Sequence, residues 1–209
     1  MKIIQVTRKK TYYEVTAESA VYEIDGELLR QYHIQENTEI SSETLEDLHR
    51  KSRFRRAYRR ACYLLDDREY SYCMMYQKLM HTYQDKALCV SVMNQLVQCG
   101  AINDKRYAKK LTEYLVNAKH YGIYRVRQEL LRKGIDKELT EQCIQELKEQ
   151  ALENLPVVLE RKYARQLTDP DDSKSIQKVI AGMSRLGYDY YDIKDAIEAY
   201  FQEGEYYGN

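Results

Sequence analysis

The chain has 209 residues, 32% of them charged, with only eight glycines and two prolines and a formal net charge of zero. Few turn formers beside abundant Glu, Lys, Arg, Gln and Leu exclude a β-rich or loop-rich protein and point to a mostly helical one. No apolar run approaches the roughly 18 residues of a membrane span, and the first residues lack the apolar stretch of a secretion signal. A cytoplasmic protein is therefore expected.

Residues 2–24 are the exception to the helical pattern. Ile4, Val6, Tyr12, Tyr13, Val15, Val21, Tyr22 and Ile24 are β-branched or aromatic residues in short runs, which predicts a small β-hairpin or meander. Lys9, Lys10 and Thr11 mark a turn between its first strands, and Asp25-Gly26 is a further turn signal. Glu27 to Tyr32 reads as a helical turn. Ser41-Ser42 followed by Glu43, Leu45 and Leu48 opens a helix with acids in its first turn. From there to about Phe201 the chain reads as helix after helix.

The helical part repeats itself. Ser71 and Gly122 stand 51 residues apart, and Ser175 follows 53 residues later in the same cap slot. Asp85, Asp136 and Asp189 form a second cap column. Ser52, Asn103 and Asn154 form a third. Gly134 and Gly187 match as helix C-terminal glycines, suited to a left-handed backbone, with Tyr83 in their slot in the first copy. Leu96, Leu147 and Tyr200 close the third helix of each copy. Pro156 fits the first turn of a helix opened by Asn154. The predicted helices are 42–66, 71–83 and 85–98, then 103–119, 123–133 and 136–149, then 154–167, 174–186 and 189–203. The fold class expected is mainly α: three tandem three-helix repeats forming an elongated, curved body, with a small N-terminal β segment. The expected divisions are 1–45, 46–100, 101–150 and 151–209. Since the repeats carry their own apolar faces, residues 46–209 are expected to fold alone.

Little in the chain suggests catalysis. There is no Gly-rich phosphate loop, no H-E-x-x-H and no G-x-S-x-G. Asp66-Asp67 and Asp171-Asp172 read as solvated loop acids, and no nucleophile has a plausible local base. Cys62, Cys73, Cys89, Cys99 and Cys143 form no C-x-x-C pair, and four scattered histidines complete no zinc site. Cys62, Cys89 and Cys143 fall at apolar helix positions, as buried thiols do. No catalytic residue, metal or cofactor is expected.

The zero net charge hides a strong asymmetry. Residues 1–49 balance to −5, 50–134 to +12, 135–150 to −3 and 151–209 to −4. On a helical wheel Arg53, Arg55, Arg56, Arg59 and Arg60 share an arc of about 160°, with Ala57, Tyr58, Ala61, Cys62, Leu64 and Leu65 opposite. Lys105, Arg106, Lys109 and Lys110 share an arc of about 140°, with Ala108, Leu111 and Leu115 opposite. Lys119, Arg125, Arg127, Arg132 and Lys133 extend the basic region. Few acids interleave, so local ion pairs do not neutralise these faces. They read either as solvated surface or as a surface for nucleic acid or an acidic protein. Tyr107, Tyr114, Tyr121 and Tyr124 lie among them, placed either to stack on bases or to pack between helices.

At the joint between the first two repeats stands Ala101-Ile102-Asn103-Asp104-Lys105-Arg106-Tyr107-Ala108. Asn103 is suited to cap the following helix, and Asp104 adds a negative charge at the positive end of its dipole. With this string, the chain resembles the RecX family of regulatory proteins, which modulate the RecA recombinase. The resemblance is carried by Ala61, Tyr63-Leu64-Leu65, Arg68, Tyr70-Ser71 and Leu79. It continues through Leu96, Gly100, Ile102-Asn103-Asp104, Arg106-Tyr107-Ala108, Lys119, Gly122, Arg125-Val126, Glu129-Leu130 and Lys133-Gly134-Ile135. It covers about 60–150 well and 151–203 more weakly. Val21-Tyr22 and Asp25-Gly26-Glu27 resemble the extra N-terminal segment of longer members. One departure is Tyr72-Cys73-Met74 after Ser71, where the family often has acids, so the capping box is lost there.

The resemblance implies three tandem three-helix repeats and no catalysis. It implies a partner, the filament of RecA on single-stranded DNA, in whose groove such proteins lie. There they limit filament growth or favour disassembly, and lower ATPase and strand exchange. Single-stranded DNA, with duplex DNA as a second nucleic-acid partner, would meet the basic residues, and a monomer is expected. The residues alone leave two other functions open: a sequence-independent nucleic-acid binder acting by itself, and a helical scaffold for an acidic protein.

Overall fold

The N-terminal runs pair as an antiparallel meander of β1 (Ile3–Arg8), β2 (Tyr13–Ala17) and β3 (Ala20–Ile24), in that spatial order. Lys9 to Tyr12 turn the chain between β1 and β2, closed by the Lys9 N–H donating to the Tyr12 carbonyl. Alternation sends Ile3, Val15, Ala17, Tyr22 and Ile24 inward and leaves Ile4 and Val21 exposed. The computed structural model describes residues 1–18 and 20–207. Asp25-Gly26 opens a helix, α1 (Gly26–Gln31), instead of a simple turn, because the Asp25 carboxylate accepts from the Glu27 N–H.

A long helix, α2 (Ser42–Asp67), follows, capped by Ser41 accepting from the Thr44 N–H. Its first turns belong to the sheet: Leu45 and Leu48 share one core with Ile3, Val15, Ala17, Tyr22, Ile24, Leu28 and Ile34. The expectation that the helices stand without residues 1–45 does not fit this shared core. The Asp25 N–H also donates to the buried Ser52 hydroxyl of α2 at 2.8 Å, and the Glu23 N–H to His49 Nδ1 at 2.8 Å. Ser52 is thus no cap. It is a mid-helix side chain spent on satisfying the end of the sheet.

Further along α2, Ala57 and Ala61 pack with α3 (Tyr72–Tyr83) and α4 (Lys86–Gln98) around Met75, Leu79, Val92, Met93 and Leu96. Small residues on α2 let the two shorter helices approach closely. Ser71 caps α3 and Asp85 caps α4. Residues Met1–Ile102 form one compact unit, and Asn103–Asn209 form the second.

The second unit begins with α5 (Asp104–Glu113), capped by Asn103 accepting from the Arg106 N–H at 2.9 Å. A π turn, Tyr114–Ala118, continues it. Next come α6 (Ile123–Arg132), α7 (Lys137–Tyr163), a 3₁₀ turn (Ala164–Gln166), α8 (Ser173–Leu186) and α9 (Tyr190–Tyr207). Two cores run through this unit. Ala108, Leu115, Val126, Leu130, Cys143, Ile144 and Ala151 make one, and Leu155, Val158, Leu159, Val179, Met183, Ile193 and Ile197 the other.

Helix α7 serves both cores, and this corrects the predicted break at 150–153. The chain stays helical from Lys137 to Tyr163 with Pro156 inside it. Asn154 caps nothing; its Nδ2 donates to the Val116 carbonyl at 3.0 Å, inside the π turn. Burial of Ala151, Leu155, Val158 and Leu159 on one stripe outweighs the backbone bond that proline removes. Ser175 does not cap α8 either, since Asp172 accepts from the Lys174 and Ser175 N–H groups. Asp136 caps α7, and Asp189 accepts from the Tyr191 N–H as α9 begins.

Gly122 and Gly187 meet backbone to backbone. The Gly122 N–H donates to the Leu186 carbonyl, and the Gly187 carbonyl accepts from the Tyr124 N–H at 3.1 Å. Helix α6 has no side-chain cap, so this carbonyl satisfies a first-turn donor that would otherwise be orphaned. A Cβ on Gly122 would overlap the Gly187 backbone. Gly187 also sits at φ +96°, in the region that favours glycine. Tyr188 completes the clasp by donating to the His120 carbonyl at 3.0 Å.

Candidate nucleic-acid interface

The predicted basic residues fall into two environments. On α2 the arginines do share one face, but four of the five are ion-paired. Arg55 Nη1 lies 3.1 Å from Glu27 Oε2 and 4.0 Å from Asp25 Oδ1. Arg59 Nη1 lies 3.2 Å from Asp25 Oδ2, and Arg56 pairs with Glu23. The guanidinium of Arg56 also lies 4.1 Å from the centre of the Tyr12 ring. Arg53 pairs with Asp85 at 2.8 Å. Asp85 is held below its ordinary carboxylate value first by the Leu88 N–H it accepts as the α4 cap, then by Arg53. Arg60 makes no ion pair among the described residues.

An unneutralised α2 face was expected, and this is corrected. The acids are absent locally but are delivered by the sheet and α1, with sequence separations of 28, 33 and 34 residues. Arg53, Arg56, Arg59 and Arg60 line an open groove of about 1010 Å³ with Glu14, Glu23, His49, Tyr63 and Tyr83. Burial lowers the pKa of His49, consistent with a neutral ring accepting the Glu23 N–H.

On α5 the pattern differs. Lys105 and Lys109 project from the exposed face one turn apart and make no ion pair among the described residues. Arg106 and Lys110 are exposed on the same helix. Ala108 and Thr112 face inward and anchor the helix on the core. At the end of the π turn, Lys119 Nζ lies 5.5 Å from the centre of the Tyr114 ring, which is half exposed. The Tyr114 hydroxyl raises the Lys119 ammonium above its ordinary value. A lysine over an outward-facing aromatic ring offers both a phosphate contact and a stacking surface.

The remaining cations of α6 are mostly spent within the fold. Arg125 donates to the Arg185 carbonyl at 3.0 Å and lies 4.2 Å from the centre of the Tyr121 ring, so it holds the glycine clasp. Arg127 makes two bonds to Glu141, at 2.6 and 2.8 Å, a geometry that fixes both groups. Arg132 pairs with Glu129. Lys133, after the last turn of α6, is half-buried. Tyr124, also half exposed, donates to Asp189 at 3.3 Å. Tyr107 is half-buried and packs with the core of α5 to α7.

None of the five cysteines is disulfide-bonded. Cys89 and Cys143 are buried, and burial raises both thiols, while Cys62 is half-buried. No cluster of His, Cys, Asp and Glu among the described residues is arranged to hold a metal ion. No described helix is long and apolar enough to cross a membrane.

Fold and surface together define a protein of consecutive three-helix units with an N-terminal sheet and a cationic exposed helix. The model for "RecX, second three-helix domain" matches residues 103–144, which hold α5, α6 and the start of α7. Regulatory protein RecX of Serratia proteamaculans (strain 568) is 30% identical over 118 residues, covering 56% of this chain and 68% of that protein. RecX of Clostridioides difficile (strain 630) is 26% identical over 181 residues, covering 86% of this chain and 84% of that protein. A crystal structure of a regulatory protein RecX superposes with a TM-score of 0.64 at 20% identity, over 93% of this chain and 98% of the other. RecX from Lactobacillus salivarius gives the same score over 70% of this chain. The chain belongs to the RecX family of regulatory proteins.

Proposed function

We propose that the chain regulates the RecA recombinase by binding the filament that RecA forms on single-stranded DNA. It limits filament growth, ATPase and strand exchange, acting as a monomeric cytoplasmic binding protein with no turnover of its own. In this reading the chain comprises a β segment (1–45) and three helical units (46–100, 101–150 and 151–209). The observation that carries it is the unpaired, exposed Lys105–Lys109 pair on α5, inside the segment matched by the family model. Arg106, Lys110, Lys119 and the Tyr114 ring extend that surface. Lys105 and Lys109, with no carboxylate partner among the described residues, can take phosphates by releasing counterions at no cost in broken ion pairs.

The test is RecA's DNA-dependent ATPase with wild-type protein and with Lys105→Glu/Lys109→Glu. Wild type is expected to slow ATP hydrolysis, and the double variant to fail while melting at an unchanged temperature. Equal inhibition by both would end the assignment of this surface. Binding to bare single strands with no effect on RecA would favour a stand-alone nucleic-acid binder.

A further inference from the structure

The acids on the α2 arginines form a row. Glu23 is the penultimate residue of β3, Asp25 caps α1 and Glu27 lies in its first turn. They stand two residues apart across the junction where β3 gives way to α1. Their carboxylates meet Arg56, Arg59 and Arg55 in turn. A row of spaced carboxylates set against a helix face of arginines copies the charge pattern of a phosphodiester strand.

Two further features show that this face is open to exchange. The Arg55–Glu27 pair is the solvent-accessible one, at 39% and 64% exposed, whereas Arg56 is 12% exposed beside Glu23 at 33%. Solvent-accessible pairs of this kind are weak and screened by salt. Beside them, the groove lined by Arg53, Arg56, Arg59, Arg60, Tyr63 and Tyr83 is already open, with Arg60 in no ion pair among the described residues and Tyr63 strongly exposed.

We propose that Glu23, Asp25 and Glu27 act as a built-in strand mimic that occupies the α2 arginines, and that a nucleic-acid single strand enters the adjoining groove by displacing the two outer carboxylates. The N-terminal sheet thereby sets the affinity of α2 for phosphates. This inference rests on the reading of the protein as a binder of DNA-bearing filaments. Asp25 stays in place because it also caps α1 and is 5% exposed, which leaves Glu27 as the more readily exchanged member and the half-buried Glu23 as the second.

Binding of an oligothymidylate single strand to the full chain, titrated against salt, tests it. Glu23→Gln/Glu27→Gln frees two arginine partners. The log–log salt slope should steepen by about 1.4, from about 0.7 per new single-strand contact, and affinity at moderate salt should rise about tenfold. Adding Arg56→Gln/Arg55→Gln should return both to wild type. Glu43→Gln/Glu46→Gln removes the same charge from exposed α2 positions with no arginine partner, and should change affinity little. The single Glu27→Gln variant, at a strongly exposed position, should give part of the gain without disturbing the fold. Equal affinity and slope for Glu23→Gln/Glu27→Gln and the Glu43/Glu46 control would overturn the mimic while leaving the DNA-binding reading intact. Failure of wild type and every variant to bind single strands would overturn both.

Discussion

The α2 and α5 faces look alike on a helical wheel but are chemically different. Each is a row of cations opposite an apolar stripe. On α2 the cations are arginines, and Glu23, Asp25, Glu27 and Asp85 already hold four of them. On α5 Lys105 and Lys109 point to solvent with no carboxylate partner among the described residues. Charge at a position thus says little about its availability. What decides is whether the fold returns an opposite charge from elsewhere in the chain. Arginine suits the paired face, because its planar fork binds carboxylates in fixed geometry, whereas lysine is a mobile, hydrated point charge.

This contrast can be broken most forcefully by charge reversal. Changing Arg55, Arg56, Arg59 and Arg60 to Glu sets new acids against Glu23, Asp25 and Glu27. Thermal or denaturant unfolding should show a loss on the order of 2 kcal/mol, from about 0.2–1 kcal/mol per exposed pair plus the added repulsion. Reversal of Lys105 and Lys109 breaks no pair and should change stability by less than about 0.5 kcal/mol per site. Equal stability losses would mean that the ion pairs on α2 contribute nothing.

A gentler pair of variants sharpens the same contrast in binding. Lys105→Gln/Lys109→Gln should weaken single-strand binding about tenfold and flatten the salt slope by about 1.4. Arg56→Gln/Arg59→Gln in the otherwise wild-type chain should shift affinity by no more than about twofold, since those charges are already compensated. A larger loss from the α2 variant would show that its arginines reach DNA even while paired.

The smallest effect concerns acid. The folded-state pKa of Asp85 lies below its ordinary 3.8, so its contribution to stability is complete above that value. It is lost as pH falls through the depressed folded value. Asp85→Asn keeps an oxygen to cap α4 but cannot ionise. Its stability curve should therefore fall less steeply than wild type below the ordinary aspartate range, with little difference near neutrality. Parallel curves through the acid range would show that the Asp85 charge is unimportant.

Much of this was legible in the sequence because it depends on near neighbours. Asn103, Ser71, Asp85 and Asp136 cap helices as their position before each apolar period requires. The RecX resemblance was carried by the string around Asn103, within the segment the family model matches. The same cap logic failed at Ser52 and Asn154. Both are cap-competent, but each lies within a helix and bonds a distant backbone group. An oxygen or amide that suits a cap also suits a buried cross-bridge, and local spacing cannot separate the two.

The sequence by itself determined the helices, most of their caps, the small N-terminal sheet and the clustering of cations on two helix faces. Each of these follows from interactions within a few residues, where periodicity and capping act. Only the tertiary structure decided that α7 runs unbroken through Pro156, that Gly122 and Gly187 meet, and that four α2 arginines are ion-paired while Lys105 and Lys109 of α5 are not, among the described residues. Those outcomes depend on groups brought together from far apart, as with Arg59 and Asp25, 34 residues away. Coulomb attraction acts on distance in space, and that distance exists only once the chain has folded.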